Sequence, residues 1–187
     1  MNLSEKYRAK KYSDIVGQEK AVEDVKNFLK SFPKKKALIL HGPPGAGKTS
    51  LAIVAAKENN YEILELNSSD LRNRAKLEET LKPAAEQQSL FKKGKVILMD
   101  EVDGVTGTDI GGIQELLRVL TITNYPIIMT CNDAWQSKLA PVRARSKIVE
   151  VKPLSLGTII ALLMKISEQE GLNKTPHFIK QIAIKSQ

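Results

Sequence analysis

The ten residues His41 to Ser50, HGPPGAGKTS, combine three glycines, two prolines, a lysine and a hydroxyl pair in one short run. Gly42, Pro43, Pro44, Gly45, Ala46, Gly47, Lys48 and Thr49 fit the spacing G-x-x-x-x-G-K-[ST], with Ser50 next in the chain. Glycines let a backbone turn several N–H groups toward one centre, which suits phosphate oxygens. A helix starting at the lysine adds the partial positive charge of its N-terminus. In such a loop Lys48 meets the β- and γ-phosphates and Thr49 offers its hydroxyl to Mg²⁺. The apolar run Ala37–Leu40 before the loop and a helical pattern after it supply the context that this spacing requires.

A second stretch, KVILMDEVDGVTGTDIGG from Lys95 to Gly112, ends an apolar run in Asp100 and Glu101, with Asp103 and Asp109 following. Taken alone, it reads as a charged strand end reaching solvent. Beside a phosphate loop, Asp100 takes the role of the aspartate that holds hydrated Mg²⁺. Glu101 is then placed to orient the attacking water, a positional task because phosphoryl transfer depends on alignment and charge neutralisation. The acidic pair favours ATP over GTP, and the run TCND at 130–133 does not supply the N-K-x-D element of a guanine site. Asn132 closes a further apolar run, PIIMTCN, where an amide can sense the γ-phosphate and hold water. Its plainer role is that of a turn former. Cys131 reads as a small core residue, His41 as a strand end near the loop, and His177 as a helix-surface residue; neither histidine has metal-ligand company.

These residues need elements to position them. Apolar, non-alternating runs at Ala37–His41, Glu62–Asn67, Val96–Asp100, Pro126–Asn132 and Lys147–Val151 predict five strands buried on both faces. Helical patterns lie between them: Val22, Val25, Phe28 and Leu29; Leu51, Ala52, Ala55 and Ala56; and Ile113, Leu116, Leu117 and Leu120. Strands alternating with helices predict an α/β fold with a parallel five-stranded sheet. After Pro153 the pattern becomes purely helical. Leu156–Gln169 predicts a helix stopped by Gly171, and Thr175-Pro176 predicts the cap and first turn of another. The expected division is an α/β nucleotide-binding domain over 1–152 and the beginning of a helical lid domain over 153–187.

The chain of 187 residues carries 29 basic and 21 acidic side chains, a net charge of +8. The first 48 residues hold 11 basic and 5 acidic ones. Such a balance suits a phosphate-bearing partner, or else a solvated basic face. No window reaches the ~20 apolar residues of a membrane-spanning helix, and the N-terminus has no apolar core of a secretory signal. With Cys131 the single cysteine, no internal disulfide forms, which fits a reducing, intracellular setting.

The set EKYRAKKYSDIVGQ, HGPPGAGKTS, ELNSSDLRNR, DEVDGVTGTDIGGIQELL and MTCNDAW, in this order, resembles the AAA+ module of replication factor C, the sliding-clamp loader. The DEVDG…GG run and the spacing of Leu139, Arg143 and Ser146 are similar to large subunits, and a start directly at the ATPase module is similar to the archaeal type. The resemblance covers residues 2–187. It implies a P-loop AAA+ fold, Mg²⁺-dependent ATP hydrolysis that is weak without partners, and an ATP-driven switch that helps open the clamp and load it onto primed DNA. It also implies that Tyr7, Arg8, Val16 and Gly17 cradle adenine and ribose, and that Asn132 is the sensor of the γ-phosphate. Implied partners are small clamp-loader subunits, the sliding clamp and primer-template DNA. Departures from the pattern are Ala9, Ser68 and Ser146, none on the phosphate chemistry. Arg145 stands where small subunits carry an arginine finger but is not assigned as one, and a sensor-2 arginine would lie beyond Gln187.

Arg72, Arg74 and Lys76 form a basic segment after the second strand, and Thr108 is positioned to cap a helix beginning near Asp109. Arg72, Arg74 and Thr108 are candidates for DNA phosphates, contacts that carry little sequence information. Gln114, Leu117 and Leu120 follow the spacing of a clamp-interacting box without its aromatic positions, and Leu117 and Leu120 also fit a core-facing stripe. Two other functions compete: another DNA-linked AAA+ ATPase of helicase-loader or branch-migration type, and a non-hydrolysing nucleotide-binding assembly subunit.

Overall fold

The computed structural model describes residues 3–67, 94–104, 110–172 and 174–186. Five strands form one parallel sheet: β1 (Ala37–His41), β2 (Tyr61–Asn67), β3 (Gly94–Asp100), β4 (Ile127–Cys131) and β5 (Ser146–Glu150). Their spatial order is β2-β3-β4-β1-β5, so β4 inserts between β1 and β3. Each strand was legible as an apolar run. β2, β3 and β5 begin one or two residues earlier than their runs suggested, because their backbones already pair there, Tyr61 with Gly94 and Ser146 with Ala37; β4 is one residue shorter than its run at each end, and β5 stops at Glu150.

Strand geometry sends alternate side chains to opposite faces, and the buried residues sort accordingly. One face buries Ile39, Ile97, Met99, Ile127 and Met129. The other buries Leu38, Leu40, Val96, Leu98 and Ile128. On the first face lies α4 (Ile110–Ile122), which contributes Leu116, Val119 and Leu120, followed by the short α5 (Ala140–Ala144) with Val142. On the second lie α2 (Glu19–Ser31), through Val25, Phe28 and Leu29, and α3 (Lys48–Glu58), through Leu51, Ala52 and Ala55. Burying each such aliphatic side chain contributes about 1.5–3 kcal/mol.

The chain then leaves the sheet. Gln18 grips the exit: its Nε2 donates to the Lys152 carbonyl at 2.5 Å and its Oε1 accepts from the Lys152 N–H at 3.1 Å. Two helices follow, α6 (Leu156–Gln169) and α7 (Pro176–Lys185), packed on each other. The Ser155 hydroxyl caps α6 by accepting from the Thr158 N–H at 3.1 Å. At the other end Gly171 has φ +64°; its N–H donates to the Glu168 carbonyl and that of Leu172 to Ser167, the paired bonds of a Schellman motif. Thr175 caps α7 by accepting from the Phe178 N–H at 3.3 Å, with Pro176 as its first residue. The N-terminal turn α1 (Leu3–Lys6) reaches this region, where Lys6 Nζ and Tyr7 Oη both donate to Glu170 Oε1 at 2.5 Å. Among the described residues no helix is long and apolar enough to cross a membrane.

Candidate active site

At the carboxyl ends of β1, β3 and β4 lies a cleft of about 360 Å³, lined by Pro44, Gly45, Gly47, Lys48, Thr49, Ser50, Asp100, Glu101, Thr130, Cys131 and Asn132. In an open parallel sheet this edge is where ligands bind. The strand order explains the meeting: with β4 next to both β1 and β3, the loop after β1, the acidic pair after β3 and Asn132 after β4 share one crevice.

The loop after β1 has the backbone that its glycines allow. Gly45 and Gly47 have φ +76° and +93°, and a Cβ on either would meet nothing within 4 Å. The space above them is therefore open to a ligand. Gly42 is glycine for a different reason: a Cβ there would lie 2.0 Å from the Val151 carbonyl oxygen. Gly47 is the N-cap of α3, whose first N–H groups have no partners within the helix and belong to residues that line the cleft.

Lys48 is 9 % exposed. Its ammonium donates to the carbonyls of Gly42 at 2.8 Å and Pro43 at 2.9 Å and to Asn132 Oδ1 at 3.0 Å. All three acceptors are neutral. A largely buried cation bonded, among the described residues, to neutral oxygens and set beside a helix N-terminus suits an anion. Asp100 Oδ1 accepts from Thr49 Oγ1 at 2.8 Å, and also from the Thr130 hydroxyl. A hydroxyl and a carboxylate side by side form the partial oxygen shell that Mg²⁺ takes from proteins, the remainder coming from phosphates and water. Among the described residues no group of three or more His, Cys, Asp or Glu side chains forms a closed metal cage. The Lys48 ammonium with the Thr49–Asp100 pair is a donor set that fits a nucleoside triphosphate with Mg²⁺.

Glu101 lies in the left-handed region at φ +53°, uncommon for a residue with a side chain. It is exposed at the cleft mouth, and its N–H donates to Thr130 Oγ1 at 3.0 Å. Asn132 is tied back by Asp103 Oδ2, which accepts from its N–H at 2.8 Å and from that of Asp133 at 3.4 Å. Cys131 is buried in the core, and burial, reinforced by the Asp103 carboxylate, pushes its thiol up to about 12. It stays a protonated core side chain at neutral pH.

Several sequence expectations fall elsewhere. Tyr7, Arg8, Val16 and Gly17 do not line this cleft. Tyr7 bonds Glu170, Arg8 bonds Glu5 at 2.7 Å, and Gly17 (φ +69°) sits against Leu154, with Leu154 Cδ2 3.3 Å from where a Cβ would be. On α4, Gln114 is exposed, Leu117 packs at the core margin, and Leu120 is 5 % exposed. Leu120 belongs to the apolar stripe that covers the sheet, so it is not a surface anchor for a clamp. Arg72, Arg74 and Thr108 lie outside the described residues. Three polar residues went unassigned in the sequence: Thr130, Asp103 and Gln18. The available signals were a lone hydroxyl inside the apolar run IIMTC and an aspartate three residues after Asp100. For Gln18 there was none, since its partner is Lys152, far along the chain.

The sequence model of the ATPase family associated with various cellular activities (AAA) matches residues 38–154. The chain is 44 % identical over 97 % of its length to a replication factor C large subunit of Staphylothermus marinus. It is 43 % identical over 97 % to that of Aeropyrum pernix, and 39 % over 96 % to that of Thermofilum pendens. The chain spans 44 %, 39 % and 45 % of the lengths of these three relatives. The matched segment runs from within β1 to just past β5 and so contains the loop, the acidic pair and Asn132 together; the chain belongs to the AAA family of ATPases.

Proposed function

We propose that the chain binds ATP with Mg²⁺ at the β1–β3–β4 edge and hydrolyses it, and that this serves as the nucleotide switch of a clamp-loader large subunit. The observation that carries the first part is the Lys48 ammonium, largely buried and bonded to three neutral oxygens among the described residues, in the same cleft as the Thr49–Asp100 pair. Lys48 takes the β- and γ-phosphate oxygens, with the N–H groups of Gly45, Gly47 and the first turn of α3 around them. Thr49 and Asp100 hold the metal, which when bound neutralises charge developing on the phosphates. Glu101 orients the water, and Asn132, already within reach of Lys48, registers the terminal phosphate.

The second part is supported by the similarity to three replication factor C large subunits over nearly the whole chain. It brings with it, as proposals, association with small clamp-loader subunits, the sliding clamp and primer-template DNA, and an intracellular location. Tyr7, Arg8, Val16 and Gly17 are proposed for the adenine end, Arg72, Arg74 and Thr108 for DNA phosphates, and the exposed Gln114 for a clamp contact. The division into an α/β domain over 1–152 and a lid segment over 153–187 is proposed on the change from sheet to helix pair.

The test is ATP binding and turnover, with and without clamp and primed DNA. Lys48→Ala should weaken ATP binding by at least ~100-fold, since a charge-assisted contact to a largely desolvated phosphate is lost. Glu101→Gln should bind ATP as the parent does and lose at least ~100-fold in turnover. Unchanged turnover in the glutamine variant would remove Glu101 from its role. Turnover indifferent to clamp and DNA in the assembled complex would remove the clamp-loader reading.

A further inference from the structure

The backbone ladder between β3 and β4 has three register pairs, Ile97↔Ile127, Leu98↔Ile128 and Met99↔Met129. The residues on which the proposed chemistry depends begin one step later, at Asp100 and Thr130. There, side chains continue what the ladder does below. Thr130 is 1 % exposed, and its hydroxyl has one proton to give and lone pairs to accept with. The proton goes to Asp100 Oδ1, and a lone pair takes the Glu101 N–H at 3.0 Å. The opposite direction is also bridged. Asp103, in the 3-10 turn Val102–Gly104, accepts from the N–H groups of Asn132 and Asp133, and Lys138 Nζ donates to the Asp103 carbonyl at 2.6 Å.

The geometry points to a reciprocal cross-strand link in which Thr130 and Asp103 are positioning residues, fixing the distance between the Asp100–Glu101 pair and Asn132. Its catalytic consequence rests on the ATPase reading above. Thr130 acts through both acidic residues at once: it sets the direction of the metal-facing carboxylate and holds Glu101 in its left-handed conformation. Asp103 acts through Asn132, and through Asn132 on Lys48, to which Asn132 Oδ1 is bonded. Thr130 reaches from β4 to the end of β3, and Asp103 from the turn after β3 to the residues after β4, so neither can shift without dragging the partner strand's polar end. A displacement of about 1 Å at reacting groups costs on the order of 100-fold in rate, so loss of either arm should appear in turnover rather than in affinity.

The test uses the whole 187-residue chain and the variants Thr130→Val, Thr130→Ser, Asp103→Ala and Asp103→Asn. Three quantities are read: amide hydrogen exchange at Glu101 and Asn132, ATP turnover at saturating ATP and Mg²⁺, and ATP affinity. Thr130→Val keeps the shape and loses the hydroxyl. Exchange at Glu101 should accelerate about tenfold. Turnover should fall roughly 10- to 100-fold while affinity stays within about threefold. Thr130→Ser should restore both. Asp103→Ala should accelerate exchange at Asn132 and lower turnover, and Asp103→Asn, which retains an acceptor oxygen, should recover part of each. The link is overturned if exchange at Glu101 in Thr130→Val and at Asn132 in Asp103→Ala matches the parent. The positioning role is overturned if affinity and turnover fall together and serine rescues neither. A parent chain that binds ATP without turning it over, alone or with partners, counts against the function proposed above. In that case the exchange rates still support or overturn the link by themselves.

Discussion

In the sheet, β1, β3 and β4 are closed in on both faces, and Ile39, Ile97, Leu38 and Ile128 have no exposed surface. In the α6–α7 pair only Ser167, Ile179 and Ala183 are buried, while Met164, Phe178, Ile182 and Ile184 are exposed. The sheet holds together by packing between distant parts of the chain. The pair depends more on the chemistry of its own ends: the Ser155 and Thr175 caps, the Schellman turn at Gly171, and the Lys6 and Tyr7 contacts to Glu170. A substitution should therefore act globally in the first region and locally in the second.

The strongest test of that contrast is Gly42→Ala. The added methyl would sit 2.0 Å from a backbone oxygen that cannot swing away. Overpacking of this kind typically costs 1–3 kcal/mol and here should reach about 3 or more. Urea unfolding followed by the single tryptophan, Trp135, reports on the sheet side, because its ring lies 4.9 Å from the Arg143 guanidinium beside β5. An unchanged midpoint would mean that the loop floor is not rigid and that the contrast is overstated. A smaller effect is expected from Thr175→Ala, about 1 kcal/mol from the lost cap. Amide exchange in Phe178–Lys185 should accelerate with little change in the Trp135 midpoint; an equal shift in both would make the pair part of the same cooperative unit as the sheet.

The smallest effect concerns Glu170. Hydrogen bonds from Lys6 and then Tyr7 hold its carboxyl below the ordinary carboxylate range. A carboxyl lowered in the folded state stabilises it above the unfolded value and loses that contribution as pH falls through the folded one. Docking of the N-terminal turn should thus be complete at neutral pH and loosen only in acid. The pair is exposed on the lysine side, so added salt should weaken it too. Limited proteolysis near Lys6 at neutral pH, in acid and in high salt measures this. Identical cleavage in Glu170→Gln and the parent would show that the contact has no hold on the segment.

What the sequence revealed, and what it concealed, divides along the same physical line. Strand runs such as Ala37–His41 were legible because burial on both faces makes them continuously apolar, and helices such as Leu156–Gln169 because their ends carry cap chemistry. Lys48, Thr49, Asp100 and Asn132 were singled out because the proposed phosphate chemistry asks for those types at fixed places, and in the structure all four line one cleft. Thr130, Asp103 and Gln18 were not, because each bonds to a residue distant in the chain and no period records such a pairing. Leu120 shows the reverse case, with two roles open in the sequence. A spacing compatible with a surface motif was also that of a core stripe, and burial decided for the core.

The close approach at Gly42 has one more consequence. The oxygen beneath it belongs to Val151, whose N–H donates to the His41 carbonyl at 2.7 Å. The next residue, Lys152, is the one clasped by Gln18, and the α6–α7 pair hangs from it. The fulcrum of the helical arm therefore lies a single peptide unit from the floor of the phosphate loop. A shift of Val151 would thus be felt at the loop and at the root of the arm without any relay between them.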